Sequence, residues 1–348
     1  MVFTEIKAEI KDSEDIQYCF SSLNGSCSKE PRPMTTRTLL YILFSVGIMT
    51  TICGNLMVII SISHFKQLHS PTNFLILSLA VADLLVGLTV MPFSMIRTVE
   101  NCWYFGDIIC VLHNSFDVSL TSASIIHLIF IAIDRYYAIC DPLHYTNKIN
   151  NNVVGIYVTV SWIFPVIYTC ISLFSRAIID ESSYITTNIC LGSCHIIFNE
   201  TLSIVDSLIS FFIPCSLMLC MYVKVFFVAQ RHLKAVNSVE ASFRVRLGRK
   251  MAQSSDHKAA KILTAVMSVF ILSYLPIFID SSIDPYINYS TPTIVSDALL
   301  WLGYFNSACN PIVYAFFYPW FQKALKLIVS FKIFKAGSSS LKLFSNNS

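Results

Sequence analysis

Charged side chains are scarce in this sequence. Its 348 residues include 24 lysines and arginines and 21 aspartates and glutamates, so 13% are charged, whereas 55% are hydrophobic. Soluble domains carry about 25% charged residues, so this chain has too few to cover a surface that faces water. Glycine and proline, at 10 and 12 residues, are also too few for a collagen-like or low-complexity chain. The composition indicates a membrane protein.

Long apolar runs then divide the chain. Residues 1–37 contain six acidic side chains and no such run, so we expect no cleavable signal peptide. A helix needs about 20 mainly apolar residues to cross the hydrocarbon layer. Seven runs meet this requirement, at residues 39–62, 74–96, 108–133, 153–174, 202–223, 262–279 and 298–317.

The predicted fold is therefore an all-α membrane protein with a seven-helix bundle. We expect an extracellular segment 1–37, the bundle at 38–318, and a cytoplasmic segment 319–348. Apolar and lysine side chains are interspersed after Pro319, which predicts a short amphipathic helix on the inner leaflet lipids.

Basic residues fix the predicted orientation. With the N-terminus outside, 7 of the 24 lysines and arginines face outward and 17 face the cytoplasm, as the positive-inside rule requires. We therefore expect a multi-pass plasma-membrane protein with an extracellular N-terminus. Fourteen of the 21 acids fall on the outer face, so the outer mouth should concentrate cations. A glycosylation sequon at Asn24 lies on this face, as do sequons at Asn199 and Asn288.

Six of the twelve cysteines lie outside the membrane, where disulfides form. Cys110 opens the third span and Cys190 lies in the loop after the fourth, so a Cys110–Cys190 bridge would hold that loop over the bundle. Six cysteines allow 15 pairings, and composition does not choose among them.

Aspartates inside spans mark candidate sites, because a charge in the membrane is costly and faces the bundle interior. Asp117 and Asp206 lie at similar depth on the third and fifth spans. A structural acid is the competing interpretation, but aromatic side chains share their level and no lysine or arginine in that layer supplies a countercharge. The sequence therefore favours a ligand with ammonium groups. The expected ligand-binding residues are Asp117, Asp206, Thr121, Tyr274, Phe278, Trp301 and Tyr304.

A second polar group surrounds Asp83 in the middle of the bundle. Ser124, Asn306 and Asn310 lie at corresponding depth, and their oxygens suit a small hard cation. A candidate sodium site and a hydrated polar cluster are equally consistent with the sequence. No other cofactor is expected.

Several residues near the cytoplasmic face suggest a conformational switch. Arg135, within Asp134-Arg135-Tyr136, can pair with its neighbour or with Asp256 at the foot of the sixth span. Pro311, within Asn310-Pro311-Ile312-Val313-Tyr314, interrupts helix hydrogen bonding. Tyr222 on the fifth span and Tyr314 are expected to line an inner cavity when the bundle opens.

Together these motifs resemble those of the rhodopsin-like G-protein-coupled receptors over the whole chain. The matching residues are Gly54-Asn55, Leu79-Ala80-Val81-Ala82-Asp83, Trp103 with Gly106, Cys110, Asp134-Arg135-Tyr136, Trp162, Pro214 with Tyr222, Phe270 with Pro276, and Asn310-Pro311-Ile312-Val313-Tyr314. Within that class, Asp117 matches the amine-binding acid. The run 306–321 and the first inner loop 64–73 are similar to those of the trace amine-associated receptors.

The resemblance implies an olfactory-type receptor for amines that acts through a heterotrimeric G protein, of the stimulatory kind that raises cyclic AMP. It also implies a second disulfide, paired as Cys27–Cys194. Some members, notably in fishes, carry a second acid where Asp206 stands, which is associated with diamines such as cadaverine and putrescine. Tyr274 departs from the pattern, because this class usually has tryptophan there.

Other classes fit less well. A receptor for a monoamine remains an alternative. A transporter or proton pump could also use buried acids, but no repeat relates the two halves of the chain. A retinal photoreceptor needs a lysine in the seventh span, which has none. No catalytic constellation or nucleic-acid-binding feature is present, so neither an enzyme nor a nucleic-acid partner is expected.

Overall fold

The computed structural model describes residues 17–29, 32–180, 190–194, 200–238, 265–335, 337–341 and 343. Eight helices account for most of this part of the chain. They are α1 (Met34–His64), α2 (Pro71–Glu100), α3 (Gly106–Cys140), α4 (Asn151–Asp180), α5 (Glu200–Ser207 continuing as Ile213–Ser238), α6 (265–283), α7 (Thr293–Phe317) and α8 (Pro319–Val329). Short connecting helices occur at Lys66–Leu68, Tyr145–Lys148, Asp284–Ile287, Lys332–Phe334 and Ser338–Ser340.

Helices α1–α7 coincide with the seven predicted spans. The first six are long and apolar enough to cross a membrane. Helix α7 has 25 residues, but its buried face carries Asn306, Ser307 and Asn310, which lower its mean hydropathy. Helix α3 lies at the centre and packs on α2, α4 and α5, while α1 packs on α2 and α7. The fold prediction is confirmed.

Two helices contain a π-helical turn two residues before a proline. In α2 the turn Val86–Val90 precedes Pro92, and in α5 the turn Leu208–Phe212 precedes Pro214. Proline lacks the N–H that a regular helix needs, and a π turn adds a residue that changes which face the following side chains occupy. Both helices contribute residues from their outer halves to the candidate site.

A disulfide-linked cap covers part of the outer face. Strands β1 (Gln17–Tyr18) and β2 (Ser28–Lys29) form an antiparallel hairpin. Lys29 Nζ donates to Glu100 at the end of α2, 2.9 Å away, and to the Tyr104 hydroxyl at 3.1 Å. Burial lowers the pKa of Lys29, but these hydrogen bonds outweigh it and leave the pKa above its usual value. The hairpin is therefore tied to the end of α2 by charge, in addition to its disulfide from Cys19 to Cys102, two residues beyond that helix.

Both predicted disulfide pairings are wrong. The bridges are Cys19–Cys102, Cys27–Cys190 and Cys110–Cys194. Neither Cys110–Cys190 nor Cys27–Cys194 forms.

The backbone between the two loop cysteines explains the pairing. The N–H of Cys27 donates to Leu191 O at 2.9 Å, which places Cys27 beside Cys190. Gly192 then turns the loop at φ +101°, a conformation that favours glycine. Its carbonyl accepts from Trp103 N at 2.8 Å, and the chain continues inward so that Cys194 meets Cys110.

The predicted amphipathic helix is present as α8. It follows α7 after a single residue and packs on α1 and α7. Trp320, Phe321 and Ala324 form its buried face. The helix therefore closes the cytoplasmic end of the bundle beside α1.

Candidate ligand-binding site

A cavity of about 480 Å³ lies in the outer half of the bundle. Side chains from α2, α3, α5, α6 and α7 line it, together with Ser193 from the loop after α4. Its charged residues are Asp117, Asp206, Asp280, Asp284, Asp297 and Arg97. Five carboxyl groups and one guanidinium give the cavity an excess of acid, which suits a cationic ligand.

Asp117 lies on α3, where the predicted pocket acid was expected. Tyr304 of α7 donates its hydroxyl to Asp117 Oδ2 at 2.6 Å, and Thr121, one helical turn along α3, donates to Oδ1 at 3.5 Å. Tyr304 is only 2% exposed. The carboxylate is therefore held by two neighbours while it lines the cavity.

Asp206 lines the same cavity from α5. Its Oδ1 accepts from the Tyr168 hydroxyl of α4 at 2.5 Å and from Ser210 at 3.5 Å. Ser210 lies four residues further along α5, inside the π turn Leu208–Phe212, and its hydroxyl contacts the same oxygen as Tyr168. Sequence analysis did not single out Tyr168, because nothing in its local sequence indicates that α4 approaches α5 at that point.

Aromatic side chains form part of the cavity wall as predicted. Tyr274 and Phe278 of α6 and Tyr304 of α7 line it. A side chain on Gly303 would meet the Tyr274 ring at 3.2 Å, so glycine lets α6 and α7 approach closely here. The Tyr274 hydroxyl lies near Thr121 and Asn306, between the cavity and the polar group below it.

Trp301 is not among the described residues that line the cavity. Its indole stacks on Phe44 of α1, with ring centroids 3.8 Å apart, and its Nε1 donates to Thr98 of α2 at 3.2 Å. The tryptophan therefore packs between α1 and α2. The expectation that it forms a wall of the pocket is wrong, because the assignment used depth along α7 and not the direction of the side chain.

Arg97 also departs from expectation. It is one of the seven basic residues expected on the outer face, but it lines the cavity and is 8% exposed. Its Nη1 donates to the carbonyl of Cys194 at 3.1 Å. The acid layer therefore has one basic neighbour. The three further acids Asp280, Asp284 and Asp297 were counted among the outer acids, and that negative excess was the signal that could have located them.

The polar group around Asp83 is assembled in the middle of the bundle. Asp83 is fully buried, and its two oxygens accept from Ser124 at 3.1 Å and from Asn310 at 2.8 Å. Asn306 Nδ2 has no partner among the described residues. The carboxylate of Asp83 and the hydroxyl oxygen of Ser124 are ligands that a small hard cation prefers, so these two residues fit a sodium ion, whereas Asn310 turns its amide nitrogen toward Asp83.

Arg135 pairs with its neighbour Asp134. Its Nε lies 2.7 Å from Asp134 Oδ2, and Thr72 and Tyr145 also donate to that carboxylate, at 2.9 and 2.8 Å. Asp256 lies outside the described residues. These contacts hold the arginine against α2 and against the short helix Tyr145–Lys148, which connects α3 to α4.

The remaining predicted switch residues surround the cytoplasmic half of the core. Tyr222 and Tyr314 belong to the large apolar cluster there, and Pro311 interrupts α7. Tyr136 packs on a separate small cluster between α3 and α5. Asn24 is exposed in the outer cap, and its glycosylation stays a prediction.

Comparison with known proteins identifies the family. The family model of the 7 transmembrane receptor (rhodopsin family) matches residues 54–314. The chain is 47% identical over 329 residues to trace amine-associated receptor 13c of Danio rerio, covering 94% of this chain and 96% of that protein. It is 44% identical over 334 residues to trace amine-associated receptor 4 of Mus musculus, covering 95% and 96%. It is also 44% identical over 331 residues to trace amine-associated receptor 1 of Homo sapiens, covering 94% and 98%. The chain belongs to the trace amine-associated receptors, which are multi-pass plasma-membrane receptors for amines that act through G proteins and are not enzymes.

Proposed function

We propose that this receptor binds diamines, with one ammonium group on Asp117 and the other on Asp206. The observation that carries the proposal is that both aspartates line one cavity. Each carboxylate would form a charge-assisted hydrogen bond with an ammonium group, a stronger contact than one between neutral groups. The proposed ligands are putrescine- and cadaverine-like chains.

The partners of Asp206 limit how strongly a monoamine is rejected. A monoamine on Asp117 would leave Asp206 without an ammonium, but the hydroxyls of Tyr168 and Ser210 would still donate to it. The penalty for a buried unsatisfied group, about 1–3 kcal/mol, is therefore only partly incurred. Diamine preference should be substantial, and monoamines should still bind at higher concentration.

Signalling is proposed to run through a stimulatory G protein and cyclic AMP. The similarity to trace amine-associated receptors supports this coupling. Amine binding would favour a second packing of the helices, in which Arg135 leaves Asp134 and the inner ends of α5 and α6 separate. Tyr222 and Tyr314 would then line the opened cytoplasmic cavity.

The test is a cyclic AMP assay in transfected cells, with α,ω-diamines of increasing length and the n-alkylamines of equal length. Asp117→Ala should abolish the response to both classes. Asp206→Ala should abolish the diamine response at concentrations that activate the wild type, because a charged hydrogen bond is worth about 1.5–3 kcal/mol. It should change monoamine potency by less than about threefold.

Asp107→Ala is the matched control, since Asp107 is an exposed acid in the first turn of α3 that does not line the cavity. It should respond as the wild type at equal surface expression. A full diamine response from Asp206→Ala would contradict the two-acid proposal. A response seen through another G protein, without cyclic AMP, would contradict stimulatory coupling alone.

We further propose that a sodium ion binds at Asp83, with Ser124, Asn306 and Asn310 as neighbouring donors. Binding would favour the resting packing, because the ion links α2, α3 and α7. Replacing KCl by NaCl at constant ionic strength should then weaken agonist affinity in membranes, and Asp83→Asn should remove the difference. Equal sodium dependence in wild type and Asp83→Asn would rule out this site.

A further inference from the structure

The Tyr304 hydroxyl is part of a chain of polar side chains that crosses three helices. It lies 2.6 Å from Asp117 Oδ2 and 3.2 Å from Ser94 Oγ of α2. Ser94 Oγ in turn lies 3.3 Å from His113 Nε2 of α3. His113 and Asp117 are four residues apart, so the chain begins and ends on one face of α3.

The number of available protons fixes the direction of every hydrogen bond in this chain. The carboxylate of Asp117 can only accept hydrogen bonds, so Tyr304 donates its one hydroxyl proton to it. Ser94 must then donate to Tyr304, which leaves its oxygen to accept from His113. The imidazole therefore carries its proton on Nε2, and its Nδ1 has no partner among the described residues.

The end of this hydrogen-bonded series that is farthest from Asp117, formed by Ser94 and His113, is buried beside aromatic rings. Ser94 is fully buried and His113 is 2% exposed. The His113 ring lies 5.3 Å from the Trp103 ring and 6.2 Å from the Phe93 ring, measured between centroids. In such surroundings hydrogen bonds strengthen one another and water cannot replace a lost donor.

We propose that Ser94 and His113 are positioning residues that hold the Tyr304 hydroxyl on Asp117 before a ligand arrives. This inference rests on the proposed role of Asp117 as an ammonium anchor. Neither residue needs to contact the amine. Their effect is to restrict the carboxylate to one orientation, which reduces the ordering cost of binding. The same gain applies to any ligand with an ammonium group at Asp117, whatever its other end carries.

Isothermal titration of the purified full-length receptor in lipid nanodiscs tests this inference. The two probes are 1,5-diaminopentane and 1-aminopentane. Ser94→Ala and His113→Leu should each weaken both probes by about five- to tenfold, as expected for loss of one productive hydrogen bond. The ratio of the two affinities should stay within about twofold of wild type, unlike in Asp206→Ala.

The double variant supplies a readout that a general structural role would not give. Because the two residues act in series, Ser94→Ala combined with His113→Leu should be no weaker than either single variant. His113→Gln should restore affinity, since its side-chain amide can donate to Ser94 from about the position of Nε2. Ser119→Ala is the control, because it loses a hydroxyl contact of 2.9 Å to Thr169 away from the cavity.

The outcomes separate this inference from the proposed function. If Asp117→Ala leaves the affinity for both probes unchanged, the ammonium anchor itself is wrong. If Asp117→Ala abolishes binding while Ser94→Ala and His113→Leu bind as the wild type, the positioning role is wrong. Multiplied losses in the double variant, or no recovery with His113→Gln, would also overturn it.

Discussion

The hydroxyl of Tyr168 already partners Asp206, the proposed second ammonium anchor. It donates to Asp206 at 2.5 Å, so the carboxylate has a strong partner before any amine enters. A second ammonium must therefore compete with or add to this contact. If Asp206 binds the second ammonium as proposed, diamine selectivity will depend on what already satisfies its carboxylate as well as on its charge.

Replacing Tyr168 by phenylalanine should raise selectivity for diamines. Without the hydroxyl, Asp206 is less satisfied in a monoamine complex, whereas the second ammonium of a diamine supplies the missing donor. We expect the ratio of 1-aminopentane to 1,5-diaminopentane dissociation constants to rise by about three- to tenfold, as for one hydrogen bond of about 1 kcal/mol. Titration of the purified receptor with both amines measures this ratio.

Ser119→Ala again serves as the control, since its hydroxyl contacts Thr169 of the same helix α4. An unchanged or smaller ratio in Tyr168→Phe would show that the tyrosine does not compensate the carboxylate.

For individual residues, the sequence predicted which charged side chains lie inside the bundle better than it predicted the direction in which a side chain points. Asp117 and Asp206 were predictable because acids inside apolar runs are costly and face the interior. Trp301 was misplaced because its depth along α7 is visible in the sequence, whereas the stacking partner Phe44 is not. Arg97 was expected on the outer face because it follows the second apolar run, and hydropathy does not show that its side chain lines the cavity.

At the scale of elements, the spans were predictable and the connections were not. Length and hydropathy suffice for a membrane helix, so α1–α7 coincide with the predicted runs. The π turns at Val86–Val90 and Leu208–Phe212 have no such signature beyond the prolines that follow them. Each changes which residues of its helix face the cavity.

The disulfides show the same limit. Cys190 and Cys194 are four residues apart, so spacing along the chain cannot tell which of them meets Cys110. The hydrogen bonds of Cys27 and the turn at Gly192 decide it. The bridge Cys19–Cys102 was not predicted at all, although both cysteines were expected outside the membrane.

For the whole molecule, the separation of charge between the two faces explains how an amine is drawn in. Acids predominate on the outer face, and three of them, Asp280, Asp284 and Asp297, line the cavity with the two anchor acids. A mouth with this excess of negative charge raises the local concentration of cations. Under the two-acid proposal, amine selection would combine this general negative field with two specific carboxylates inside the cavity.

The most direct measurement of the central claim is a cryo-electron microscopy structure of the receptor with 1,5-diaminopentane bound. The account predicts continuous ligand density between α3 and α5, with one nitrogen within hydrogen-bond distance of Asp117 and the other within hydrogen-bond distance of Asp206. Density that contacts Asp117 alone, with the second nitrogen directed to Asp280, Asp284 or Asp297, would contradict it.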